Sequence, residues 1–409
     1  MSPTVKVEDP FEKPTDSVGK FALFNYGFRP FFFFAGLFGC MSILVWVGLY
    51  AGHMKMDLTS PAVLWHAHEM LFGYTAAAIA GFFLTVIPNW TSAKAQKGPV
   101  LVFLTVLWLL GRVAEWGQGS VPYGWVMAAD MAFLIALTGV VVRPLVNPQY
   151  RRQFIFVLIL ACLILGNAMT HLSVLGITAF GQDLGERGIT LALDAVLVLI
   201  AIMGGRVTPS FTSSFLGHND PKIKVIQNPA LDRAVMLVTW GVLVVDQVWA
   251  ASVLSGGVYL IAAAFHLWRL SGWQGWRTLS NPILWVLHLG YLWLVVGLAM
   301  KGLADFEIID SAGALHILTI GAVGTMTLAI MSRASLGHTG RVLKVHALIV
   351  VAYVLLSLAA VLRIAVSWLP DYSLELVMAS GSLWAVAFFL FFVIYAPILS
   401  GPRKDGRPG

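Results

Sequence analysis

The segment WHAHEM at residues 65–70 places two imidazoles, a carboxylate and a thioether at the start of an uncharged stretch that runs through IAGFFLTVIP to residue 88. Neutral imidazole is a common ligand for iron and copper, a carboxylate can orient a ligating imidazole, and a thioether suits copper. At ~100° per residue, positions i and i+2 of a helix point ~200° apart, so His66 and His68 address opposite sides. One metal ion cannot readily take both. Either two centres flank the helix, or one of the two histidines is structural. Glu69 and Met70 follow His66 by three and four residues and share its side.

The elements that must position these groups are membrane spans. The chain has 409 residues, of which 58% are hydrophobic and 11% charged, with a mean hydropathy of +0.82. That composition excludes a soluble domain. Apolar runs near the ~20 residues needed to cross a bilayer recur along the sequence. The spans are 29–51, 62–88, 99–115, 122–142, 153–176, 188–204, 232–249, 251–270, 281–301, 311–332, 345–368 and 374–398. The expected fold is therefore an all-α integral membrane protein, a bundle of about twelve transmembrane helices. Residues 1–28 form an N-terminal tail, 29–398 one transmembrane domain interrupted by a polar loop at 205–231, and 399–409 a C-terminal tail.

Lysine and arginine fix the expected orientation, because cationic loops stay in the cytoplasm. The side shared by the termini and the even loops carries twenty of them, whereas the other side carries Lys55 and Arg187, with Lys301 at a boundary. Both termini are expected to be cytoplasmic. The net charge of +6 is thus a topology signal; it is spread over short loops without a basic stripe, which argues against nucleic acid. Cys40 and Cys162 lie mid-span among apolar residues, so no disulfide framework is expected.

This topology gives each histidine a depth. His66 and His68 lie just inside the outer end of the second span, His171 near the outer end of the fifth, and His316 just inside the outer end of the tenth. At ~1.5 Å per residue, all four fall in one layer beneath the outer surface. Ionisable groups within a membrane tend to face the bundle interior and to mark function. The layer is read as metal or cofactor ligation, against the alternative of imidazoles satisfied by neighbouring carbonyls. Asn167 and Met169 lie close to His171. Arg112, Glu115, Asp130, Asp194, Asp246 and Arg363 share the outer third. Arg112 and Arg363 could hold haem propionates as bidentate donors, or Arg112 could simply pair with Asp130. His266, His288, His338 and His346 fall on the inner half, where ordinary hydrogen bonding or a second cluster around His338 are the alternatives. There is no CxxCH, so any haem is non-covalent. The inner ends of the second, sixth and tenth spans share small hydroxyl residues with Gly or Pro, a weak echo of a four-helix period.

GFRPFFF at 27–33, WHAHEMLFGY and IAGFFLTVIPNWT within 65–91, LGR at 110–112 and HILTIGAVGTMTLAIMSRASLGHTGR at 316–341 resemble the NnrS family, over about residues 20–398. These are bacterial membrane proteins associated with denitrification and nitric oxide that contain haem and copper. The resemblance implies haem b, copper, nitric oxide as the small-molecule partner and the bacterial inner membrane. It carries over no ligand set, so His66, His68, His171 and His316 as metal ligands, and Arg112 and Arg363 as cofactor contacts, rest on depth and angle. One arrangement is a histidine-ligated haem beside copper with an open iron position for nitric oxide. Such a protein would bind or convert nitric oxide, as a haem–copper oxidoreductase or as a non-catalytic binder, and limit nitrosative stress. Haem–copper oxidases are a looser analogy, since their paired-histidine copper motif is missing. The competing readings are a twelve-helix secondary transporter without redox cofactors and a membrane b-type cytochrome that only transfers electrons.

Overall fold

The computed structural model describes residues 21–179, 182–219 and 223–406. Among these residues the chain forms twelve helices: α1 Phe28–Tyr50, α2 Ala62–Thr91, α3 Pro99–Trp116, α4 Tyr123–Leu145, α5 Ile155–Val174, α6 Leu184–Asn219, α7 Pro229–Trp249, α8 Val253–Ser271, α9 Pro282–Asp305, α10 Ser311–His338, α11 Ala347–Ala365 and α12 Ser373–Ser400. Eleven are long and apolar enough to cross a bilayer. The exception, α7, carries Asp232, Arg233 and Asp246. Outside the helices, Thr178–Ala179 pairs with Gln182–Asp183 in a minimal hairpin between α5 and α6.

Local chemistry explains most of the boundaries. Proline opens α3, α7 and α9 at a position whose N–H would be unpaired anyway. Asn228 and Asp310 cap α7 and α10 by accepting backbone N–H groups. The seventh and eighth spans are separated by Ala250, by Ala251 at φ +50° and by a reciprocal capping box between Ser252 and Ser255, so only a three-residue turn divides them.

One expectation is corrected. Residues 205–219 of the expected 205–231 loop are helical: α6 runs on to Asn219, through Pro209. The polar residues there still follow a helical pattern, with Val207, Phe211 and Phe215 packing against the core and Thr208, Thr212 and Leu216 buried. Among the described residues of that segment, only 223–228 lie outside helices.

The helices form an inner set and an outer ring. In α2 and α6, 83% of the apolar window is buried inside the protein, against 39% in α3 and α4, so α2 and α6 are central. α10 is next most enclosed apart from these two, which gives the echo between the second, sixth and tenth spans a physical counterpart. Both α2 and α10 contain a π-helical segment, Glu69–Thr75 and Ile317–Gly324, each starting directly after a histidine. Wide π turns loosen the regular ladder and are frequent at functional sites. The Thr75 hydroxyl donates to the Met70 carbonyl at 2.8 Å within the first π segment. Gly73 in the same turn lets Phe38 and the Arg112 guanidinium approach the backbone, where any Cβ would crowd both.

The two ends of the chain meet on one face. The Ala22 N–H donates to the Ser400 carbonyl at 2.8 Å, and the buried Arg29 donates to the carbonyls of Leu399 at 2.9 Å and Gly401 at 2.6 Å. A cation bonded to the last carbonyls of α12 also complements that helix's dipole. Arg29→Met should cost about 1.5–3 kcal/mol, the range for hydrogen bonds to a charged group, read as a lower melting temperature in detergent. An unchanged melting temperature would contradict this role.

Candidate metal centres

The N-terminal end of α2 presents groups to two sides. His66 and His68 both lie in the regular α-helical turns Ala62–His68, before the π segment, so the ~200° separation of i and i+2 holds. On one side His68 meets His171 of α5, Glu115 of α3 and Asp130 of α4. All four are buried, and each offers a ligand atom within 4.8 Å of the others. His171 Nε2 is 3.1 Å from Asp130 Oδ2, and its Nδ1 is 3.1 Å from the Tyr123 hydroxyl. A single N–H on His171, donated to Asp130, with Nδ1 accepting from Tyr123, satisfies both contacts.

His68 cannot be satisfied that way. Its Nδ1 lies 3.2 Å from Glu69 Oε1, while its Nε2 lies 2.9 Å from Asn167 Oδ1 and 3.4 Å from Asp130 Oδ2. Asn167 is oriented by its amide N–H donating to Asp130 at 2.6 Å. Acceptors therefore face both nitrogens, and a neutral imidazole has one N–H. A further positive centre, a proton or a metal cation, belongs between these groups.

The charge count agrees. Three buried carboxylates, Glu69, Glu115 and Asp130, share this interior with one guanidinium, Arg112, which pairs with both Glu69 and Asp130. Trp116 donates to Glu69 at 2.7 Å and Gln118 to Glu115 at 3.2 Å, but Glu115 Oε1 is buried without a hydrogen-bond partner, 3.8 Å from His171 Nδ1. Uncompensated charge in a bundle interior is too costly to persist. A divalent cation held by two imidazoles and two carboxylates would balance it, and that donor set suits a borderline metal such as iron or zinc better than it suits Cu(I).

On the opposite side of α2, His66 faces His316 of α10 across a cavity of about 160 Å³ that Met70, Tyr74, Arg363 and Trp384 also border. Trp46 of α1 stacks on His66 at 4.4 Å. His316 Nδ1 lies 2.6 Å from the Ala312 carbonyl, an N–H donation that leaves Nε2 free to ligate. The Met70 sulfur lies 3.5 Å from the Ser42 hydroxyl, which donates to the Phe38 carbonyl at 2.7 Å. Arg363 has no carboxylate within ion-pair distance among the described residues.

The four histidines of the outer layer thus divide into two pairs, His68 with His171 and His66 with His316. Arg112 is taken up by Glu69 and Asp130, which removes it as a propionate donor, whereas Arg363 borders the second cavity. Met70 joins that cavity, while Met169 packs against Gly188 of α6. Glu69, on the expected side of His66 by spacing, turns to His68 and Arg112. Glu115 and Asp130 were legible only as costly charges; the clue to their role was that Arg112 needed a partner. Nothing in the sequence pointed to Tyr123 or Trp46. The inner histidines His266, His288 and His346 make ordinary contacts, with Thr239 at 2.9 Å and Tyr291 at 2.7 Å, with Thr212 at 2.9 Å, and as the cap of α11.

Breaking a buried ion pair on one side strands the other, at about 3–5 kcal/mol. Arg112→Met should therefore lower the melting temperature and folded yield sharply, and Arg112→Met combined with Glu69→Gln and Asp130→Asn should recover much of the loss. A single variant as stable as the parent would show that the carboxylates are compensated by something other than Arg112.

A search of curated proteins finds no match. Residues 22–403, nearly the whole chain and both groups of histidines with it, match the family described as NnrS protein, and the chain belongs to the NnrS family.

Proposed function

We propose that this protein binds nitric oxide within the bacterial cytoplasmic membrane, using copper held beside the cavity between α2 and α10, and so limits nitrosative stress in cells that carry out denitrification. Both termini and the face where they meet lie in the cytoplasm, as the lysine and arginine count favours. The carrying observation is the cavity itself. It opens onto two imidazoles and a thioether, His66, His316 and Met70, within a mostly aliphatic and aromatic wall that Arg363, Thr319 and Ser380 interrupt.

Two nitrogen ligands and a soft sulfur suit copper, which when bound supplies a redox-active position for a small ligand. The residues set the conditions around it. Ala312 holds the His316 tautomer and Trp46 fixes the His66 ring by stacking. An apolar cavity of roughly 150 Å³ stays dry and accepts benzene or xenon, so about 160 Å³ accommodates a diatomic gas with ease. Arg363 gives the cavity a positive wall. The centre at His68, His171, Asp130 and Glu115 holds a second cation one helix diameter away, through a separate donor set.

A porphyrin does not fit the outer cavity. Pockets for ligands of that size run to roughly 300–1,000 Å³, and the space beside His66 and His316 falls short of it. The haem that the family implies is therefore not assigned to this layer.

Metal analysis of purified variants tests the reading. His66→Ala and His316→Ala should each remove most of the copper and abolish nitric oxide uptake by the reduced protein, measured with a nitric oxide electrode. His68→Ala should leave copper in place. Copper retained in both of the first two variants, or lost equally in the third, would overturn it.

A further inference from the structure

A groove of about 980 Å³ runs between α6 and α7, with Arg269 of α8 at its base. Arg206 borders both this groove and the crevice beside Phe28 and His338, which places it on the face where the termini meet. Its chemistry changes along its length. Toward the middle of the bundle the walls are apolar, with Ile202 of α6 and Leu237 and Trp240 of α7; toward the helix ends they carry Ser210, Ser213 and Gln227. Leu237 is 74% exposed, so the apolar end opens sideways. Trp268, 62% exposed, borders an adjoining pocket that shares Asp232 and Arg269. An exposed tryptophan near the end of an apolar helix marks the level where hydrocarbon meets headgroups.

Three guanidiniums line the groove against one carboxylate. Arg269 holds that carboxylate, Asp232, through Nε at 2.7 Å, and its Nη1 donates to the Ala201 carbonyl at 2.9 Å and to the Tyr291 hydroxyl at 3.2 Å. Gly205 makes this reach possible, since any Cβ there would collide with the guanidinium. Arg206 and Arg233 have no carboxylate within ion-pair distance among the described residues. Arg206 rests over the Phe156 ring at 6.0 Å, and Arg233 donates through Nε to the Pro229 carbonyl at 3.3 Å. Two cations are thus left for an anion, beside hydroxyl groups that can donate to its oxygens.

We infer that this groove binds one anionic phospholipid, with its phosphate on Arg206 and Arg233, its headgroup beside Ser210 and Ser213, and an acyl chain along Leu237 and Trp240. Basic pockets between membrane helices are suited to such headgroups. A soluble phosphate ester would use the arginines and serines but leave the apolar end unfilled. A zwitterionic lipid would bring a quaternary ammonium to two unpaired cations. The site lies apart from both groups of histidines and depends on neither metal.

The test titrates the full chain, freed of lipid in detergent, with phosphatidylglycerol and with phosphatidylcholine of the same acyl chains, and reads bound lipid by native mass spectrometry. Phosphatidylglycerol should bind more tightly. Arg206→Gln and Arg233→Gln should each weaken it by at least about fivefold, the worth of one basic residue at an anionic membrane surface. The double variant should bind the two lipids alike. Arg152→Gln, which removes an exposed arginine between α4 and α5, should change nothing, and glycerol 3-phosphate at the lipid's concentration should not displace it. Size-exclusion profiles matching the parent establish that the variants are folded. Equal binding of both lipids by the parent, a preference that survives in the double variant, an equal loss in Arg152→Gln, or displacement by glycerol 3-phosphate would each overturn the inference.

Discussion

Charge balance in a medium that cannot solvate ions is the constraint on which the half of this bundle around Arg112 depends. Arg112 is the fixed point: its guanidinium holds Glu69 of α2 and Asp130 of α4 together. Through Asp130 it also sets Asn167 and His171 of α5. Four helices are thereby tied at one depth by charge-assisted bonds, in a setting where hydrophobic burial discriminates poorly between packing partners because lipid is as apolar as the protein. The same network leaves His68 surrounded by acceptors and Glu115 Oε1 without a hydrogen-bond donor. Its stability and its capacity for a cation have one origin.

The π segments of α2 and α10 do a related job for the second centre. Each follows a histidine at the outer end of a central helix, and each brings glycine close to a bulky neighbour, Gly73 to Phe38 and Gly324 to Trp384. Regular α turns before the π segment fix the direction of His66 and His316; the wider turns after it give room for the side chains that wall the cavity. The pairing of His66 with His316 across α2 and α10 is thus a property of two similar helices, consistent with the four-helix echo along the chain.

Much of this was legible in the sequence, for identifiable reasons. Bilayer thickness turns hydropathy into spans, cationic loops turn spans into depth, and depth brought His66, His68, His171 and His316 to one level. The opposed directions of His66 and His68 follow from helical angle alone and hold because both precede the π turn. What stayed hidden depends on tertiary contact. No spacing rule finds a π segment, and no local signal shows that Glu69 turns from His66 to Arg112. The extension of α6 through Pro209 was masked by its Ser and Thr content, since those hydroxyls bond back to the helix, as Thr212 does to Thr208 at 2.7 Å. Cavity size was equally invisible, and it is what separates the copper reading of the outer layer from a haem reading.

On the proposed function, His66, His316 and Met70 form one soft site distinct from the harder site at His68. X-ray absorption of the protein loaded with a single equivalent of Cu(I) measures this most directly. The account predicts a first shell of two imidazole nitrogens and one sulfur, with the sulfur contribution lost in Met70→Leu and the shell unchanged in His68→Ala. A shell of nitrogen and oxygen only, altered by His68→Ala and indifferent to Met70→Leu, would contradict it.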